Sequence, residues 1–60
     1  MTDLEKVVRH RDGLTKKDFH GLVIDAIGMY EDGVDLEEIL YDVFGVEPDY
    51  FLDLLELIGN

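Results

Sequence analysis

His10 and His20 are the two histidines of this sequence, the residue type that most often serves as an acid–base group or a metal ligand. They fall on the polar faces of two separate helical stretches, where a solvated surface histidine is the ordinary outcome and no metal-ligand spacing joins the pair. The chain has no cysteine and no serine, and its two threonines, Thr2 and Thr15, stand where helix caps belong. Catalysis needs a nucleophile or a poised acid–base pair in a cleft, and a 60-residue bundle has little room for one. Asp32, Asp35, Glu37 and Glu38 cluster around Gly33 but lack the alternating acidic positions and the length of a calcium loop, so they suggest at most a weak, nonspecific cation site. No glycine-rich phosphate loop is present. The expectation is a protein with no enzymatic activity, no cofactor and no metal. What remains is the chemistry of binding.

Charge is the first feature that could carry binding. The net charge of −10 conceals a division, because all five basic residues (Lys6, Arg9, Arg11, Lys16, Lys17) lie before Gly21. Of the 15 acids, four (Asp3, Glu5, Asp12, Asp18) lie in that same part, which leaves 15 − 4 = 11 from Gly21 onward with no Lys or Arg among them. Such an excess keeps a small apolar domain soluble, and a halophilic origin would produce it too. The sharper reading is a negative surface built for a basic partner, or a nucleic-acid mimic that occupies a basic groove.

The second feature is an apolar excess in the stretch Pro48 to Ile58, reading PDYFLDLLELI. On a helical wheel Tyr50, Phe51, Leu52, Leu54, Leu55, Leu57 and Ile58 spread over roughly two-thirds of the circumference, leaving Asp49, Asp53 and Glu56 for water. One small core cannot cover so wide an arc. We expect Tyr50, Leu54 and Leu57 to face the core, and Phe51, Leu52 and Leu55 to form a homodimer interface.

The elements that position these residues are announced by repeated punctuation. Thr2 with Glu5 predicts a capping box that opens a first helix with Leu4, Val7 and Val8 inward and a Glu5–Arg9 pair outside; Gly13 ends it. Leu14, Thr15 and Asp18 open a second, whose stripe is Phe19, Leu22, Val23, Ala26, Ile27 and Tyr30. Gly21 and Gly28 flank Ile24 on its opposite face, each at a cost of about 1 kcal/mol relative to alanine. They are either tolerated on an exposed face or mark a groove where another backbone approaches. Gly33 stops this helix, and Val34 and Asp35 cap a third running to about Phe44 with Leu36, Ile39, Leu40, Val43 and Phe44 inward. Its outer face carries Glu37, Glu38, Tyr41 and Asp42, and Glu38 and Asp42 repel at i, i+4. Gly45, Val46, Glu47 and Pro48 repeat the junction before the last helix. No strand alternation appears, so the fold expected is an all-α bundle of three to four helices forming a single domain over residues 1–60.

The segment AIGMYEDGVDLEEILYDVFGVEPDYFLDLLELI resembles the helix-turn-helix of small DNA-binding regulators, with one extra residue between Ile39 and Gly45. The resemblance implies a tri-helical topology with Pro48 to Ile58 in the place of the recognition helix. DNA binding does not carry over. The outward residues of that helix are Asp49, Asp53 and Glu56, and three carboxylates facing phosphate repel it.

The functional expectation is a small acidic protein-binding module, an inhibitor or adaptor of the kind phages and mobile elements direct at nucleic-acid machinery. Its acidic face would comprise Glu37, Glu38, Asp42, Asp49, Asp53 and Glu56 and would meet a basic surface of a larger protein. Two alternatives stand beside it: a compact regulator whose N-terminal basic residues touch nucleic acid, and an oligomeric assembly subunit. No apolar run is long enough to span a membrane and the N-terminal stretch lacks a signal-peptide core, so a cytoplasmic location is expected.

Overall fold

Local caps explain where each helix of the computed structural model starts and stops; it describes residues 2–59. Helix α1 is Asp3–Asp12, and the Thr2 hydroxyl accepts from the Glu5 amide at 3.1 Å. Only that half of the expected capping box forms. The Glu5 carboxylate turns instead to Arg9, with 3.0 Å between Oε2 and Nη1, and the pair lies against the core, with Glu5 largely buried. A guanidinium offers a carboxylate a charge-assisted bond that a neutral amide cannot match. Val7 stays exposed while Leu4 and Val8 are wholly buried. Gly13, at φ 65°, reverses the chain.

Helix α2, Lys16–Glu31, has the complete box: the Asp18 amide donates to the Thr15 hydroxyl at 3.1 Å and the Thr15 amide to the Asp18 carboxylate at 3.2 Å. Phe19, Val23 and Ala26 are its buried stripe, with Leu22 and Ile27 packed beside it and Tyr30 left exposed at the end. Gly33, at φ 90°, follows.

Beyond it the expected third helix divides. Helix α3 is Leu36–Ile39, without a side-chain bond from Asp35 at its start, and it continues as a π turn over Leu40–Phe44. The extra residue before Gly45 is absorbed there. The Gly45 amide reaches back to the carbonyls of Tyr41 and Leu40, and the Val46 amide donates to the Leu40 carbonyl at 3.2 Å. Through this wider turn Ile39, Leu40 and Phe44 stay buried, while Val43 moves to half burial. A 3₁₀ turn, Pro48–Tyr50, then leads into helix α4, Phe51–Gly59, so the last helix starts tighter than expected; Glu47 makes no side-chain cap bond.

Every helix contributes to one core, in which the Phe19 and Phe44 rings lie 5.7 Å apart between centroids and Leu54 closes the far side. Among the described residues there is no strand. One bond ties the two ends of the chain: the Asp53 carboxylate of α4 accepts from the Leu4 amide at the start of α1, at 3.1 Å. A carboxylate suits that place, since the first amides of a helix lack partners and carry its positive end. Asp53→Ala is expected to lower stability by about 1 kcal/mol, and Asp53→Asn, which keeps an acceptor, by less. Urea unfolding followed by circular dichroism measures the difference.

Candidate functional site

The surface is divided by what α4 turns inward. Leu54 is wholly buried and Tyr50 and Leu57 pack on the core, whereas Phe51, Leu52 and Leu55 are 44%, 65% and 37% exposed. Leu55 lies four residues after Phe51 and three after Leu52, so it joins both into one face. Phe51 and the exposed Tyr30 line an open groove with Val34, Leu36, Asp35 and Glu37. The reversal at Gly33 makes this groove, because it brings the first turn of α3 back beside the end of α2.

The six acids expected on a single face are distributed differently. Glu37 borders the groove with Phe51. Asp42 lies in a second open groove, between α2 and the π turn, with Asp25 and Asp32. Glu38, Asp49 and Glu56 are exposed, and neither groove includes them. Asp53 is half-buried and already committed to the Leu4 amide. A wheel drawn for one helix cannot place acids that come from four different segments. Tyr30 and Asp35 join the first groove through a turn and Asp25 and Asp32 the second through helix packing, contacts between elements that the periodicity of a single helix does not reveal.

Both arginines of the basic end are occupied as well. Arg9 binds Glu5 and donates from Nε to the Leu14 carbonyl at 3.3 Å. Arg11 donates to the Phe44 carbonyl at 2.7 Å and the Gly45 carbonyl at 2.9 Å, so it caps the end of the π turn from α1. Its remaining donors hold Asp12 at 2.7 and 2.9 Å. Those hydrogen bonds keep the Asp12 carboxyl below its ordinary value of 3.8 and raise the guanidinium of Arg11. Lys6, Lys16 and Lys17 are left at the surface, with His10 and His20 exposed. Among the described residues no group of His, Asp and Glu is placed to hold a metal ion, and no helix is long and apolar enough to cross a membrane.

No family model, curated protein or solved structure matches the chain. Its functional reading therefore rests on its own geometry.

The Arg11–Asp12 pair sets a pH dependence whose sign follows from the lowered Asp12 carboxyl. Its stabilising contribution is present in full above the unfolded value near 3.8 and is lost as pH falls through the lower folded value. Because both groups are exposed, the effect is small. Asp12→Asn is expected to lower the urea midpoint slightly at neutral pH, with the gap to the parent closing in strong acid.

Proposed function

We propose that this chain is a non-enzymatic protein-binding module, an inhibitor or adaptor, that occupies a basic surface of a larger partner. The observation that carries the reading is the groove between Tyr30 and Phe51, where two exposed aromatics meet Asp35 and Glu37 and no cation is among the lining residues. Aromatic anchors supply most of the binding energy at protein interfaces, and acids at their rim select a basic partner and speed its approach. The chain's charge supports the same reading, since no Lys or Arg follows Gly21. Duplex binding has less to draw on. Two of the five basic side chains, Arg9 and Arg11, are bonded to acceptors of the chain itself, which leaves fewer cations free to displace counterions.

Leu52 and Leu55 extend the apolar face beyond Phe51, and in this reading they join two copies of the chain. Sedimentation at high micromolar concentration is expected to give a dimer. Leu52→Asp should yield a folded monomer, whereas Leu54→Asp, which buries a charge in the core, should abolish the helical signal. A parent chain that sediments as a monomer removes the self-association part of the reading.

The partner side has a kinetic test. With a partner isolated by affinity capture, Glu37→Lys combined with Glu38→Lys is expected to slow association about tenfold at low salt and to flatten its salt dependence. Phe51→Ala should act mainly on dissociation. Unchanged association and salt slope in the double variant would mean that these acids only solvate the surface.

A further inference from the structure

A second groove lies on another face, between α2 and the π turn. Its floor is Leu22, Ile24, Met29 and Val43, its rim is Asp25, Asp32 and Asp42, and Gly28 forms part of its wall. Ile24 is 55% exposed, so the floor is open to contact. Among the described residues none of the three rim acids makes an ion pair.

Gly28 has no task inside the fold. Its φ is not positive, and a Cβ built on it meets nothing within 4 Å; the same is true of Gly21 one heptad earlier. Alanine at either place would strengthen the helix at no steric cost within the chain. The acids on this face keep the same interval. Asp18, Asp25 and Asp32 follow one another every seven residues, interleaved with Gly21 and Gly28 and with Ile24 between the glycines. A seven-residue repeat is the spacing at which a second helix keeps one face against the first, and small residues let the two axes approach closely.

We propose that this groove is a second docking surface, and that its occupant is a basic amphipathic helix of another protein, lying along α2 with apolar residues on Ile24 and Val43 and Lys or Arg at heptad intervals on Asp25 and Asp32. The three unpaired acids on an apolar floor make the charge argument for a basic occupant, and the glycine is the point of closest approach. This surface is independent of the Tyr30–Phe51 groove. A chain carrying both can hold two helices or two partners at once, as an adaptor does.

The test uses the full chain and two synthetic helices about three heptads long, with the same alanine–leucine seam but flanked by Lys in one and by Glu in the other. The Lys helix is expected to bind with amide shifts at Ile24, Gly28 and Val43, and the Glu helix not to bind. Gly28→Leu, which fills the groove while favouring the helix, should weaken the Lys helix at least tenfold, and Asp25→Lys with Asp32→Lys should do the same. Phe51→Asp should leave that affinity unchanged. Gly28→Ala should raise Tm by about 4–8 °C, which identifies the glycine as costly to the fold. No binding of the Lys helix at millimolar concentration, or binding indifferent to both the Gly28→Leu and the Asp25/Asp32 variants, overturns the second surface. Loss of binding with Phe51→Asp and not with Gly28→Leu also overturns it, yet leaves the Tyr30–Phe51 reading intact.

Discussion

The fold depends on burying Phe44. Its ring packs against Phe19 of α2, and its carbonyl, at the end of the π turn, accepts from Arg11 of α1. A sixty-residue chain without a disulfide has only a handful of wholly buried side chains to set against the entropy of ordering it, so each must be reached by more than one helix. The wider turn over Leu40–Phe44 is the local consequence. It takes up one residue more than a regular helix would hold while Leu40 and Phe44 both stay in the core. The carbonyls left open at its end are then satisfied from outside, by Arg11, so that their proximity to the core costs no unpaired polar group.

A core this small also decides the character of the surface. Once Leu54 fills the space under α4, no room remains for Phe51, Leu52 and Leu55, and three large apolar side chains stay outside. Acids border part of that surface, with Asp35 and Glu37 lining the groove beside Phe51. The arginines follow a different course. Because a guanidinium can satisfy several acceptors at once, Arg9 binds Glu5 of its own helix and the Leu14 carbonyl just beyond it, while Arg11, still exposed, fastens α1 to the end of the π turn. A count of charges along the chain sees five equivalent cations, whereas in the fold both arginines are engaged with acceptors of the chain itself.

The helices were legible in the sequence because the signals that start and stop them act within one turn. Thr15 and Asp18 bond each other across three residues, and Gly13, Gly33 and Gly45 stop helices through their own backbone freedom, so no distant partner is needed to read them. Burial of Leu4, Val8, Phe19, Val23, Ala26, Ile39, Leu40 and Phe44 was legible for a related reason, since periodicity alone puts them on one side of their helices. Only the tertiary structure decided the π turn, the bond from Leu4 to Asp53 and the clasp of Arg11 on Phe44 and Gly45. The last two join residues 49, 33 and 34 positions apart. Their formation depends on how the helices cross. The acidic face shows the same limit. Glu37 and Asp42 sit on one short stretch of sequence, yet packing sends one to Tyr30 and Phe51 and the other to Asp25 and Asp32, because a groove is made by two elements and its lining is settled only when both are in place.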